Sequence, residues 1–210
     1  MTIKKYKLVF WDFDGVIKDS VNAKTDAFIS LFENSGTETK EFIRAHHLAN
    51  GGMSRFEKIP IYLSKAGQEA SPERVAALCD NFGQKVMNAV VDSAWVPGVE
   101  KLLRYNPYGQ QFVVVSATPQ DELETILENL KLSVCFSRVF GAPVSKADAV
   151  RTILDKTGIQ PKDAIFIGDS VADLNAATCC NVSFLLRSHT QNESQFQKYQ
   201  GASIRDFRNL

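Results

Sequence analysis

The sequence predicts an α/β protein in which a doubly wound, mostly parallel β-sheet carries an inserted all-helical segment. Three short apolar runs, at 8–11, 112–115 and 164–167, each end at polar residues that precede a helical pattern. Buried parallel strands read as unbroken apolar runs of this kind, because both of their faces are covered by helices. No strand-like alternation is present between about Asp19 and Asp92, so that stretch is predicted to be helical.

Length and charge limit the classes of function. A chain of 210 residues can bury a substantial core as one domain with a smaller insertion. Lys plus Arg equals Asp plus Glu at 24 each, so no net field attracts nucleic acid or an anionic membrane. Neither a signal peptide nor an apolar run of membrane length is present. We therefore expect a cytoplasmic protein with a small-molecule partner, without nucleic acid or membrane, as a monomer or a weak homodimer.

The cysteines and two of the histidines do not form a recognisable metal site. The four cysteines lack paired metal-ligand spacing, and adjacent Cys179 and Cys180 are poorly placed for an ordinary disulfide, so all four are predicted to be reduced. His46 and His47 are neighbours, which on a helix places them about 100° apart. Packing is the better interpretation of this pair than metal ligation.

The first strand delivers two carboxylates to its carboxyl end. Asp12 and Asp14 are two residues apart, so both side chains point to the same side while the backbone stays extended. Gly15 follows and allows the chain to bend. The two carboxylates can therefore take different positions and different tasks.

The segment after this strand is predicted to be a helical insertion. Helical spacing is found over 21–33, 39–48 and 55–66, and Pro60 is expected to kink or shorten the third helix. Ser71 and Pro72 are typical of a helix start, and that helix is predicted to close the insertion near Asp92. The predicted domains are 1–18 with 93–210 as a discontinuous core, and 19–92 as the insertion.

Strand and helix patterns alternate from residue 96 onward, which favours parallel βαβ construction. Thr118 and Pro119 are expected to cap a helix through Leu130, and Ser145 to cap a helix over 147–156 that Gly158 ends. A further buried strand is predicted at 182–186. The polar tail, 190–210, is expected to pack on an edge of the core.

Polar groups follow two more of the predicted strands. Ser116, Ala117 and Thr118 come after 112–115, and Asp169 and Asp173 come after 164–167. Carboxyl ends of parallel strands lie at one edge of the sheet, so these groups can converge with Asp12 and Asp14. Lys146 lies between them at the start of a helical pattern.

These residues resemble the four motifs of the haloacid dehalogenase superfamily, specifically its phosphatase and phosphomutase branch. Residues 12–16, Asp-Phe-Asp-Gly-Val, correspond to the first motif, Ser116 to the second, Lys146 to the third, and Gly168-Asp169 with Asp173 to the fourth. The resemblance covers essentially the whole chain. It implies a Rossmann-like core, and it identifies 19–92 with the family's helical cap.

The resemblance also implies a role for each residue. Asp12 is the nucleophile that becomes an aspartyl phosphate, and Asp14 is the general acid and base. Mg²⁺ is bound by Asp12, the main-chain carbonyl of Asp14 and Asp169, with Asp173 as a direct or water-mediated partner. Lys146, Ser116 and the amide of Ala117 bind the phosphoryl oxygens. Dehalogenases of the family need neither Asp14 nor Asp169, which argues against that activity.

The cap contains one candidate for substrate recognition. Residues 52–55 resemble a cap loop that aims an arginine at the substrate, so Arg55 is a candidate for binding a carboxylate or a second phosphate. A solvent-facing arginine at a helix start is an equal alternative. The related sugar-phosphate mutases carry a histidine on the first cap helix where this chain has Lys24, which weighs against a mutase.

The predicted function is therefore a magnesium-dependent phosphatase for a small phosphorylated metabolite, either a sugar phosphate or a phosphorylated carboxylic acid. A phosphomutase that acts through a bisphosphate intermediate is the first alternative. A catalytically silent binding module is a second, and the intact set of Asp12, Asp14, Ser116, Lys146 and Asp169 argues against it.

Overall fold

The computed structural model describes residues 3–210 and contains one six-stranded parallel sheet. Its strands are β1 (Leu8–Trp11), β2 (Gln111–Pro119), β3 (Arg138–Ala142), β4 (Ala164–Gly168), β5 (Ser183–Arg187) and β6 (Ser203–Ile204), in the order β3-β2-β1-β4-β5-β6. β1 lies between β2 and β4, with Leu8 opposite both Gln111 and Ala164. The strand order reverses beside β1, and ligands of open α/β sheets bind at such a switch point.

Eight α-helices accompany the sheet in the described residues. They are α1 (Val21–Leu31), α2 (Thr37–Ala49), α3 (Arg55–Lys65), α4 (Pro72–Asp92), α5 (Val99–Tyr105), α6 (Gln120–Asn129), α7 (Lys146–Thr157) and α8 (Val171–Cys179). Alternate residues of β1 face two apolar clusters: Leu8 and Phe10 pack with α7 and α8, whereas Val9 and Trp11 pack with α5 and α6. Helices on both faces confirm the predicted doubly wound α/β fold.

Helices α1 to α4 follow one another between β1 and α5 without an intervening strand. Their apolar faces join the same cluster as one face of the sheet, and Phe28 of α1 stacks on Phe82 of α4 with ring centroids 4.0 Å apart. The chain enters and leaves this segment side by side, because the Asp19 amide donates to Ala94 and the Val96 amide donates to Ile17. We call α1 to α4 the cap; its boundaries as a separate domain, 19–92, stay a prediction.

Several local predictions are confirmed. The Ser71 side chain accepts a hydrogen bond from the Arg74 amide, with Pro72 in the first turn of α4. Ser145 accepts from the Asp148 amide at the start of α7, and Gly158 ends α7 in the left-handed region at φ 68°. The four cysteines are free.

Two local predictions are wrong. Pro60 does not shorten α3, which runs as an α-helix from Arg55 to Lys65, while a kink at Pro60 stays a prediction. Pro60 lies in the middle of the helix, and the N–H that it lacks would have bonded to the carbonyl of Phe56, a half-exposed residue. Thr118 does not cap α6; β2 extends through Pro119, and the Thr118 hydroxyl bonds to Asp14 and Lys24 instead.

The tail packs on the sheet edge as predicted, with β6 beside β5 and with Phe196 and Phe207 buried. Strand β3 was not predicted, because the run at 138–142 is short and has an exposed residue at one end. Within residues 3–210, no helix combines the length and the apolar character that a bilayer span requires.

Candidate active site

The carboxyl end of β1 places Asp12 in the sheet and turns Asp14 away from it. The Asp12 amide still donates to Ile167 of β4, so Asp12 is held in strand geometry and is buried. Gly15 then takes a positive φ of 74°, and a Cβ at this position would collide with the carboxylate of Asp169. Both the backbone conformation and the lack of space require glycine here.

Lys146 joins Asp12 to Asp173. Its Nζ lies 3.0 Å from Asp12 Oδ1 and donates to Asp173 Oδ1 at 2.6 Å, and all three side chains are buried. Burial disfavours the charged lysine, but the two carboxylates outweigh it and raise the pKa of Lys146, which therefore stays protonated. Burial and the charge of Asp173 raise the pKa of Asp12 well above its usual range in spite of Lys146.

Asp173 is fully occupied by protein donors. Its Oδ2 accepts from the amides of Asp169 and Ser170 and from the Ser170 hydroxyl, at 3.2, 3.0 and 2.7 Å. Its Oδ1 holds Lys146. The residue thus forms the capping box of α8 and also positions the lysine.

Asp169 has two partners from the chain after β5. His189 Nε2 lies 2.8 Å from Asp169 Oδ2, and the side-chain Nδ2 of Asn192 donates to the main-chain carbonyl of Asp169 at 2.7 Å. Asn192 also donates to the carbonyl of Arg187 at 3.0 Å, which ties the segment to the end of β5. The sequence analysis missed both residues, because the tail carries no pattern that marks a return to the site.

The donor set at this edge fits a hard divalent cation. Asp12, Asp169 and Asp173 each present a carboxylate oxygen, and these atoms lie within 4.8 Å of one another in a buried cluster. Burial and the neighbouring carboxylate of Asp173 raise the pKa of Asp169, so the cluster is electrostatically costly without added positive charge. Oxygen-only donors are those that Mg²⁺ prefers.

Asp14 lies beside this cluster with different partners. Ser20 donates to Oδ1 at 2.6 Å, while Thr118 at 3.3 Å and Lys24 donate to Oδ2. Burial alone would raise the pKa of Asp14, but the charge and hydrogen bond of Lys24, with those of Ser20 and Thr118, hold it below its usual value. Lys24 also donates to the Thr118 hydroxyl at 2.9 Å, so a cap helix contacts both residues.

Ser116 lies at the end of the apolar part of β2, on the other side of Asp12. Its hydroxyl is buried and accepts from the Thr118 amide at 3.1 Å. Ser116, Ala117 and Lys146 line an open groove of about 740 Å³ between α3, α7 and α8, which we call the outer cleft. This arrangement leaves a route from solvent to the residues predicted to bind phosphate.

A second, smaller space, partly open to solvent, lies between the cap and the sheet, and we call it the cap cavity. It has a volume of about 60 Å³, and its lining includes Asp14, Lys24, Lys58, Ala117 and Asp169. Ala117 lines both the cap cavity and the outer cleft, so the two spaces are neighbours at this residue.

Arg55 lines the cap cavity but is engaged elsewhere. Its guanidinium forms two hydrogen bonds to Glu122 of α6, at 2.8 and 2.5 Å, and donates to the Cys79 carbonyl at 3.2 Å. It also lies over the Phe82 ring, 4.6 Å from the centroid. The structure therefore places Arg55 at a contact between cap and core, while Asp12, Asp14, Ser116, Lys146, Asp169 and Asp173 converge at one edge of the sheet.

A parallel sheet that brings several buried carboxylates and a buried lysine together at its switch point is typical of the active site of an α/β enzyme. The sequence profile of haloacid dehalogenase-like hydrolases matches residues 6–181. The chain belongs to this family, and the predicted membership is confirmed.

Relatives and solved structures agree with this assignment. The chain is 25% identical to a phosphoglycolate phosphatase of Pseudomonas aeruginosa over 182 residues. The aligned region covers 84% of this chain and 67% of the relative. A crystal structure described as a predicted phosphoglycolate phosphatase from Haemophilus somnus superposes with a TM-score of 0.76 at 19% identity, over 99% of this chain and 96% of that one. The β-phosphoglucomutase of Clostridium difficile gives 0.76 at 18% identity, over 98% and 93%.

Proposed function

We propose that this chain is a magnesium-dependent phosphatase that hydrolyses a small phosphorylated carboxylic acid through an aspartyl phosphate on Asp12. The observation that carries the proposal is the buried contact of Asp12 with Lys146 beside the carboxylates of Asp169 and Asp173. The relatives named as phosphoglycolate phosphatases support the substrate class. The cytoplasmic location and the monomeric or weakly dimeric state stay predictions.

The residues divide the reaction into two displacements. A carboxylate oxygen of Asp12 attacks phosphorus, while Asp14 gives a proton to the departing ester oxygen. Asp14 then takes a proton from the water that attacks the aspartyl phosphate, which releases inorganic phosphate and restores Asp12. Ser116, the Ala117 amide and Lys146 bind the phosphoryl oxygens and offset their charge.

Asp12, Asp169 and the main-chain carbonyl of Asp14 would hold Mg²⁺, which supplies positive charge against the phosphoryl oxygens when bound. For Asp173 we propose a supporting role or a contact through water, because both of its oxygens already accept hydrogen bonds from the protein. His189 and Asn192 orient Asp169, as outer partners of metal ligands commonly do.

Phosphate release from 2-phosphoglycolate, measured against Mg²⁺ concentration, tests this proposal. Asp169→Asn should lower kcat/KM by roughly 100-fold or more and weaken the apparent affinity for Mg²⁺, since a ligand carboxylate is lost. Asp155→Asn, an exposed change on α7, is the matched control and should behave as wild type. An Asp169→Asn enzyme with wild-type turnover and Mg²⁺ titration would show that the metal assignment is wrong.

A further inference from the structure

Lys58 is a buried lysine that has no carboxylate partner among the described residues. It lies on α3, only 1% of its surface is exposed, and it lines the cap cavity. A lysine loses favourable hydration when it is buried, so proteins normally pair such a group with a carboxylate. In residues 3–210, no carboxylate lies within ion-pair distance of Lys58.

Its surroundings instead favour the loss of its charge. Nζ lies 2.9 Å from His47 Nδ1 and 5.7 Å from the centroid of the Phe28 ring. Burial, with the positive charges of Lys58 and Lys24, lowers the pKa of His47 well below its usual value, so His47 is a neutral acceptor. Burial and the charge of Lys24 lower the pKa of Lys58 to about 7, although Asp14, Glu57 and Asp169 act in the opposite direction.

The other basic side chains that line the same cavity, apart from His47, already contact carboxylates. Lys24 bonds to Asp14, and Arg55 is held by two hydrogen bonds to Glu122. His189 bonds to Asp169. A ligand anion that enters the cavity therefore meets Lys58 as the basic group without a competing carboxylate among the described residues, and the charge of the anion favours the protonated form of Lys58.

The size of the cavity limits what that anion can belong to. The cap cavity has a volume of about 60 Å³. On the same measure of volume, a single water molecule needs roughly 10–15 Å³. By this measure the cavity holds about four to six waters, a size that matches a leaving group of two or three carbons. Asp14 and Lys58 line the same cavity. A short leaving group can therefore place its ester oxygen beside Asp14 and its anionic end beside Lys58.

We propose that Lys58 is the specificity-determining residue of this enzyme, and that it binds the carboxylate of a phosphorylated two- or three-carbon acid whose leaving group occupies the cap cavity. His47 positions its ammonium, and Arg55 joins cap to core instead of binding the substrate. This inference rests on the proposed phosphatase function and assigns the substrate class of the same site.

Two phosphate esters of one skeleton test it. 2-Phosphoglycolate has a carboxylate where ethyl phosphate has a methyl group. The ratio of their kcat/KM values therefore isolates the contribution of the carboxylate contact. Lys58→Met should lower kcat/KM for 2-phosphoglycolate by roughly 10- to 100-fold, as expected for a hydrogen bond to a charged group, and change ethyl phosphate less than about threefold. Lys65→Met, on the same helix but paired with Glu38, is the control and should change neither.

A binding measurement separates this proposal from the proposed function. 3-Phosphonopropionate and propylphosphonate replace the ester oxygen by CH₂, so calorimetric titration reports the carboxylate contact without turnover. Wild type should prefer 3-phosphonopropionate, and Lys58→Met should lose that preference. If wild type hydrolyses neither ester but still prefers 3-phosphonopropionate in the titration, the phosphatase function is overturned and the role of Lys58 in binding stands. Equal losses on both esters, or an unchanged preference in Lys58→Met, would overturn the role of Lys58.

Discussion

At the level of single residues, the two aspartates that follow β1, Asp12 and Asp14, have different partners. Asp12 contacts Lys146, whereas Asp14 accepts hydrogen bonds from Ser20, Lys24 and Thr118. A nucleophile needs its charge and a cation near the phosphoryl group, and a general acid needs a proton and access to the leaving oxygen. The pKa shifts of the closed form run against these tasks, because burial raises the pKa of Asp12 whereas Lys24, Ser20 and Thr118 lower that of Asp14 in spite of its burial. The assignment therefore requires added positive charge beside Asp12 and separation of Lys24 from Asp14 during the reaction.

Leaving-group chemistry should separate the two roles. Asp12→Asn should abolish turnover and any trapped aspartyl phosphate for every ester. Asp14→Asn should slow phosphorylation of Asp12 by about 10²- to 10⁴-fold for alkyl phosphates, because a basic alkoxide needs the proton. Nitrophenyl phosphate should be slowed much less, since nitrophenolate leaves without protonation, and it should give a burst followed by stalled turnover.

Pre-steady-state rates of nitrophenolate release and of alkyl phosphate cleavage, compared in wild type and Asp14→Asn, provide the measurement. Acid quenching during the stall should recover phosphate on Asp12. If phosphorylation slows equally with both esters, Asp14 acts in positioning or metal binding, and its acid and base assignment has to be given up.

Among the secondary-structure elements, helices α3 and α6 are joined by an ion pair between Arg55 and Glu122. Glu122 holds Arg55 across the boundary between cap and core, and Gly83 of α4 lies beside the pair. A Cβ at Gly83 would come within 2.5 Å of Glu122 Oε1 and 2.8 Å of the nearest Arg55 nitrogen. The glycine therefore gives the two charged groups the space in which they meet.

Loss of this pair should loosen the cap. Glu122→Gln leaves Arg55 buried beside a neutral partner, which should cost about 1–3 kcal/mol of the closed form. Backbone amides of α3 should then exchange hydrogen faster, and KM for 2-phosphoglycolate should rise. Glu128→Gln, an exposed change on the same helix, is the control. Identical exchange in α3 for both variants would show that the ion pair does not hold the cap closed.

The buried charge of Lys58 affects the stability of the whole molecule. Its pKa is about 7 in the folded protein and has the ordinary lysine value of about 10.4 in the unfolded chain. The unfolded chain therefore binds more protons between these values, and stability contributed by this group rises with pH across that window. Below about pH 7 both forms are protonated, and the cost of the buried charge is complete.

Lys58→Met should consequently be more stable than wild type at pH 6.5, by roughly 2 kcal/mol, because an unpaired charge is replaced by an apolar chain of similar shape. The advantage should shrink as pH approaches 10. Denaturant unfolding of both proteins over this pH range, without and with Mg²⁺, measures the difference. A variant that is less stable than wild type at pH 6.5 would mean that Lys58 supports the fold and does not oppose it.

The sequence alone determined the parallel sheet, the helical segment that follows β1 and the motif residues that the fold brings to one edge of the sheet, because these depend on local patterns. Apolar runs of strand length identify β1, β2 and β4, and ordered motifs place Asp12 after β1, Asp169 after β4 and Lys146 at the start of a helix. The tertiary structure alone decided which residues contact one another across long separations. His189 and Asn192 return to Asp169, Glu122 engages Arg55, and Lys58 remains unpaired beside His47. Such contacts depend on the packing of distant segments, which leaves no periodicity in the chain; the burial that makes them energetically significant exists only once the cap lies against the sheet.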